Sequence, residues 1–444
     1  MEPLLIVSAD SHVGLPPEEY RSYLDPQYRD SMQSYLEDTR LYHSLHRGMG
    51  WPYSREELEF MDTDSAYTSG GIAGFWDPVR RLRVSEADGV VAEILHPAGP
   101  ISPTPFCDPT SRKVSPELRA AGATAYNRFL ADYCATAPER LLGVPHTYPW
   151  PDMDAAVSTI HWAAANRMAA IYPPRFAGAD EDLPPFYDRR WDPFWAACSE
   201  TGLPVHIHAG TGLAQGNTFD RMRAVMEQPE AVDPGSSRLA QVFEGIFEER
   251  RPLWQLMWSG VFDRFPSLRI VFAEIRADWI PPTLAFLDGA YKAGGAELQM
   301  SPSEYWARNC AVTPSFMRPS DLASRDTVGK TRMMFGSDYP HLEGTWPNTL
   351  DFLRVVLKEV PLEDVRGILG ENAIAFYGLD RGMLQEVAAK VGPLPGAVLG
   401  DHEVDPRIID HFDKRNGLRK NPTFDSDWLA ATFSADTSAI VTSP

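Results

Sequence analysis

The sequence predicts an α/β fold, a distorted (β/α)8 barrel of the TIM type with a long insertion after its first strand and a C-terminal arm. Three observations lead there. Eight short apolar, β-branched runs alternate with segments of helical periodicity along the 444 residues, the signature of parallel βα units and the number that closes a barrel. Acids and histidines stand at the ends of those runs, where a barrel carries its chemistry. Three stretches exceed ordinary connection length. A doubly wound open sheet gives a similar string of elements and is the alternative.

The strand-like runs are LLIVSA (4–9), VVAEIL (90–95), LLGVPH (141–146), MAAIYP (168–173), LPVHIHA (203–209), RIVFAEI (269–275), NCAVTP (309–314) and RMMFGS (332–337). Helical periodicity fills 115–135, 153–166, 192–202 and the stretch after Pro281. The first insertion, 14–76, is lid-like and holds Tyr20, Trp51, Tyr53, Phe60 and Trp76; the second, 210–240, begins polar and glycine-rich. The barrel domain thus spans 1–380. An arm over 381–444 carries Trp428 and Phe433 as apolar anchors without a core of its own, which suits a homodimer contact.

Composition bounds the function. Hydrophobic residues at 43% against 23% charged fill a sizeable core. With 41 basic and 61 acidic residues the net charge is −20, which argues against nucleic acid and anionic membrane surfaces as partners. Cys107, Cys134, Cys198 and Cys310 form no C-x-x-C pair, so free thiols in a reducing compartment are expected. No run reaches membrane length, and the N-terminus lacks a basic leader region, so a soluble cytoplasmic protein is expected.

The run ends carry Asp10 and His12 (first), His96 (second), His146 (third), His206 and His208 (fifth), Glu274 (sixth) and Asp338 (eighth), with His341 just beyond. Alternate strand residues face one side, so D-x-H and H-x-H each aim two side chains at one point. Mixed imidazole and carboxylate donors suit zinc, iron, manganese or cobalt. A single histidine at a strand end reads as a packed core residue; the coincidence across separate strands is what points to a metal. Arg80, Arg81 and Arg83 read as a solvated helix face, or as a contact for an anionic tail such as the phosphates of coenzyme A.

The segments SADSHV (8–13), LPVHIHAG (203–210), GVFDRFPSLRIVFAE (260–274), MMFGSDYPHLEGTWP (333–347) and ILGENAIAFYGL (368–379) make the chain resemble the amidohydrolase superfamily. The similarity is to its amidohydrolase-related branch, which includes metal-dependent hydrolases and aromatic-acid decarboxylases. The resemblance implies Asp10, His12, His208 and Asp338 as ligands of a divalent transition metal (Zn, Fe or Mn), as one or two ions. It implies Asp338 as the group that handles the proton of an attacking water. His206, one repeat deeper, would back the ligands, and His206 or His341 would steady the developing oxyanion. The chain departs from the family at strand six, where Glu274 replaces the histidine of many relatives. That carboxylate either hydrogen-bonds a ligand histidine or holds a second metal in a binuclear site.

The expected activity is hydrolysis of an acyl bond (ester, thioester such as an acyl-CoA, or amide) in a bulky hydrophobic small molecule. Trp51, Phe60 and Trp76 would wall the substrate site, or else pin the insertion to the barrel. The alternative is nonoxidative decarboxylation of an aromatic acid. A barrel that binds a ligand without chemistry is the third reading.

Overall fold

The computed structural model describes residues 2–37, 39–40, 60–62, 65–66, 69–97, 102–107, 114–147, 150, 152–174, 183–209, 249–294, 297–315, 317–341 and 344–414. Six of the predicted runs form parallel ladders. β1 (Val7–Val13), β2 (Ala92–Pro97) and β3 (Leu141–Gly143) make one sheet in that order. β4 (Val205–His208), β5 (Ile270–Ala273) and β6 (Cys310–Thr313) make a second. Nearly every strand residue is buried, which is why the strands read as apolar runs instead of alternating ones.

Parallel neighbours need crossovers, and helices Pro116–Ala135, Met153–Ala165, Asp192–Thr201 and Ile280–Lys292 fall where helical periodicity predicts them. Local chemistry starts two of them. Ser115 accepts from the Leu118 N–H at 3.2 Å, and Asp152 from that of Ala155 at 3.0 Å.

The runs 168–173 and 332–337 form single bridges in place of ladders, Ile171 with Val205 and Val312 with Met333. Pro173, Pro174 and Pro204 have no N–H to offer a ladder. Backbone bonds nevertheless pass through both segments. Ala169 N–H donates to Gly143 O (2.9 Å) and His206 N–H to Ile171 O (3.0 Å). On the other side Met334 N–H donates to Val312 O (2.9 Å), Ala9 N–H to Phe335 O (2.7 Å) and Asp338 N–H to Asp10 O (2.8 Å).

The described part of the first insertion is fastened to this framework by an aromatic. Tyr20 is fully buried, with its ring 6.1 Å from Phe129 and 6.4 Å from Tyr35. The beginning of the arm packs on its own chain. Helix Arg381–Val391 buries Leu384 and Ala388 in a cluster with Leu5 and Val7, and Leu4 N–H donates to Pro393 O at 2.8 Å. Phe412 meets Phe352 at 5.1 Å. Trp51, Tyr53, the 210–240 insertion, Trp428 and Phe433 lie outside the described residues. Among the described residues no helix is long and apolar enough to cross a membrane.

Candidate metal centre

The ends of β1, β2, β4 and the segment after Phe335 bring their polar side chains to one buried place. Asp10, His96 and Asp338 are fully buried, and His12 and His208 nearly so. The Asp10 Oδ1 atom is the hub: His208 Nε2 lies 3.1 Å from it, His12 Nε2 3.6 Å and His96 Nε2 3.9 Å. Asp338 Oδ1 lies 3.0 Å from His12 Nε2 and 2.9 Å from His341 Nδ1. Donor atoms of Asp10, His96 and His208 fall within 4.8 Å of one another, as do those of His12, Asp338 and His341.

The imidazoles are oriented from outside. His12 Nδ1–H donates to Pro97 O (3.1 Å) and His208 Nδ1–H to Ala209 O (2.7 Å), because a carbonyl only accepts. With Nδ1 carrying that hydrogen, the neutral form of each ring turns a bare Nε2 inward, the tautomer a metal needs. Three inward atoms, His12 Nε2, His96 Nε2 and Asp338 Oδ2, have no hydrogen-bond partner among the described residues. His12 Nε2 sits close to Asp338 Oδ1 without hydrogen-bonding it. Donors that converge side by side in this way, buried and unsatisfied, are costly unless a cation lies among them.

Charge tells the same story. Burial pushes Asp10 upward, yet the His208, His96 and His12 imidazoles outweigh it and hold the carboxyl well below the usual range. Burial keeps His12 and His96 far below the normal imidazole range and so neutral. His208 goes the other way: despite burial, Asp10 and Glu274 hold its pKa up at about 9. Burial raises Asp338, which His341 only partly offsets. The Asp10–His208 contact is the pairing a carboxylate and an imidazole make when no cation lies between them; with the His208 proton displaced, the nitrogen and oxygen donors fit a divalent transition metal.

The surroundings fix this geometry. Ser315 Oγ–H donates to Asp10 Oδ2. A Cβ on Gly336 would stand 2.7 Å from Asp10 Cβ and 2.9 Å from Thr313 Cγ2, so only glycine lets the two strand ends approach. Asp338 takes a left-handed φ of 57°, which turns its side chain inward at a cost of about 1–2 kcal/mol. Behind β1, the fully buried Arg81 binds Glu93 through two bonds (2.7 and 2.9 Å) and donates to His12 O at 2.9 Å. Its guanidinium also lies 3.9 Å over the Tyr339 ring. Arg81 is therefore neither a solvated helix residue nor free to meet a coenzyme A phosphate.

The other residues singled out in the sequence fall around the centre. Glu274 Oε2 is 3.5 Å from His208 Nδ1, on the side of the ring turned away from Asp10, and among the described residues it belongs to neither donor group. His206 Nε2 pairs with the Tyr377 hydroxyl at 2.9 Å, one repeat inward from His208. The His341 ring stacks on His12 at 4.0 Å. Trp76 packs beside Phe75 at 6.4 Å, and Phe60 lies 3.9 Å under the Arg407 guanidinium. His96, a strand-end histidine given no role above, joins Asp10 and His208, while the Arg81–Glu93 pair has no sequence spacing that announces it.

Comparison with known proteins adds the following. Residues 108–379 match the protein family described as amidohydrolase. Over 241 residues the chain is 26% identical to a gamma-resorcylate decarboxylase of Rhodococcus jostii (strain RHA1), a match covering 48% of this chain and 64% of that protein, less than two thirds of its length. A 5-carboxyvanillate decarboxylase of Sphingomonas paucimobilis has the same fold at 21% identity, with a TM-score of 0.57 over 85% of this chain and 100% of the other. A 5-carboxyvanillate decarboxylase of Novosphingobium aromaticivorans DSM 12444, crystallised with manganese, gives 0.58 at 19% identity over 85% and 97%. These relatives overturn the expectation of an acyl-bond hydrolase acting on ester, thioester or amide. The physical reason is that D-x-H, His208 and Asp338 specify a metal, and one ligand set serves both water attack and loss of carbon dioxide.

Proposed function

The chain belongs to the amidohydrolase family, and on that premise we propose that it is a metal-dependent, nonoxidative decarboxylase of a small aromatic acid. The observation that carries the reading is the similarity to gamma-resorcylate decarboxylase, together with a buried set of carboxylate and imidazole donors. The fold reading goes with it. Backbone bonds through 169–172 and 333–338 link the ends of the two sheets and support a closed (β/α)8 barrel, with the candidate centre at the C-terminal ends of its strands.

The reaction exchanges a carboxylate on a ring carbon for a proton: the C–C bond breaks, carbon dioxide leaves, and the electron pair left on the ring takes up H⁺. Asp10, His12, His208 and Asp338 would hold a divalent transition ion, which would supply positive charge against the anionic substrate. The chain's own residues do the rest. Asp338 Oδ1 is engaged by His341, so Oδ2 is the oxygen left to hand a proton to the ring carbon. His341, partly exposed and 2.9 Å from Asp338, is placed to resupply it. His12 and His208 orient the donor set through their carbonyl bonds.

The test is incubation of the manganese-loaded protein with gamma-resorcylate, 5-carboxyvanillate and related hydroxybenzoates in D2O. Carbon dioxide release with one deuterium at the vacated ring position is expected. No carbon dioxide from any of these acids at full metal occupancy, or solvent ¹⁸O entering an acid product, overturns the reading.

A further inference from the structure

We propose that His96 is an additional protein ligand of the ion, an inference that rests on the metal site of the reading above. His12, His208 and His96 share one arrangement. Each engages Nδ1 on the outer side, to Pro97 O at 3.1 Å, Ala209 O at 2.7 Å and the Tyr172 hydroxyl at 2.6 Å. Each turns Nε2 toward the same carboxylate oxygen, Asp10 Oδ1, at 3.6, 3.1 and 3.9 Å. His96 Nε2 is fully buried and makes no hydrogen bond of good geometry among the described residues, although the Ala9 backbone also acts on the ring. With the Tyr172 hydroxyl accepting from His96 Nδ1–H, the near nitrogen is bare and aimed at a carboxylate, the disposition of a metal-bound histidine.

Packing argues against a filler role. The His96 ring stands 4.8 Å from His208 and 4.9 Å from His206, so it displaces apolar contact in a crowded polar layer. A phenyl ring would fill that space without leaving a buried nitrogen unsatisfied. His206 also has one engaged and one unpartnered nitrogen, its Nε2 being taken by the Tyr377 hydroxyl at 2.9 Å, but among the described residues it makes no contact with Asp10 like the 3.9 Å approach of His96. Tyr172 then acts as a positioning residue, holding the His96 ring as Pro97 O and Ala209 O hold the other two. The ligand set becomes Asp10, His12, His96, His208 and Asp338, and each protein donor added leaves one position fewer for substrate oxygens.

The experiment uses the full chain stripped of metal and titrated with Mn(II), followed by electron paramagnetic resonance. His96→Phe should weaken Mn(II) binding at least tenfold with its circular dichroism unchanged. His96→Gly should bind weakly and regain affinity when free imidazole is added, a rescue that a packing role does not produce. Pulsed measurements on the wild-type protein should count three imidazole nitrogens on the ion. Two nitrogens in the wild type, or His96→Phe affinity within twofold of it, overturns the assignment; the wild-type count decides even where a variant fails to fold. The two readings fail separately. Carbon dioxide release with two nitrogens counted removes only the role of His96, whereas three nitrogens without decarboxylation removes only the activity.

Discussion

In the proposed reaction Asp338 divides its work between two oxygens. Oδ1 lies between His12 and His341, and Oδ2 is the atom assigned to the proton. Asp338→Asn keeps the shape and removes the acid, so decarboxylation should fall by about 10²–10⁴-fold, with steady-state turnover as the measurement. A rate within tenfold of wild type would end the proton-delivery role. Residues of this kind were legible because strand spacing gives them away: Asp10 with His12, and His206 with His208, are two apart on buried runs. His96 was not, because a lone histidine has no spacing partner and only the fold supplies Asp10 and Tyr172. Arg81 was misread for a different reason. Helix geometry lets Arg80, Arg81 and Arg83 share a solvent face, and the acid within VVAEIL was the unread sign of a buried cation.

Between elements, the Arg81–Glu93 pair joins helix Pro78–Ala87 to β2 and reaches the His12 carbonyl on β1. Glu93 also accepts from Ser85 at 2.6 Å and Ser11 at 3.0 Å. Removing one partner strands the other in the interior, so Glu93→Gln should cost about 3–5 kcal/mol, read as a lower melting temperature. The pH dependence follows from the same bonds. Burial pushes the Glu93 carboxyl up, but Arg81, with Ser85 and Ser11, outweighs it and holds the pKa below the ordinary 4.5. Below 4.5 the unfolded chain takes up a proton that the folded chain refuses. The contribution is therefore complete above that value and is lost as the pH falls through the folded one. Melting curves from pH 6 to 3 should show Glu93→Gln closing its gap to wild type on the acid side; a constant gap would remove Glu93 as its source. The strand segments 168–173 and 332–337 show why elements were only partly legible. Their apolar content was readable, but each is joined to its neighbours by only a few backbone bonds, and at 168–173 Pro173 has no N–H to offer.

For the whole molecule, the metal is a stability term as well as a reagent. An ion that binds only the folded chain adds about 2.7 kcal/mol at a hundred times its dissociation constant. Chelation should lower the melting temperature, and Mn(II) should restore it, as differential scanning calorimetry would record. An unchanged melt at full occupancy would contradict a ligand set built into the folded core. Leu384 tests the arm: it is fully buried in the Leu5 and Val7 cluster, so Leu384→Ala should destabilise by about 2–5 kcal/mol, measured by urea unfolding. The global fold was the most legible level, since alternating runs and helices depend on many residues at once. The packing of the arm's beginning was hidden because Leu384 and Ala388 look like ordinary helix residues until their partners, almost the whole chain away, are known.

The hydrogen bond from Leu4 to Pro393 has a consequence for modularity. The recognisable family segment, 108–379, stops short of both partners and leaves out β1 as well. The segment that matches the family is thus shorter than the span that packs together. A protein engineer excising 108–379 as a portable module would carry away His208 and Asp338 and leave Asp10 and His12 behind. The cut would also open the seam where the start of the chain is stitched to residues beyond 380. The functional cassette is the longer piece, closed at its own hem.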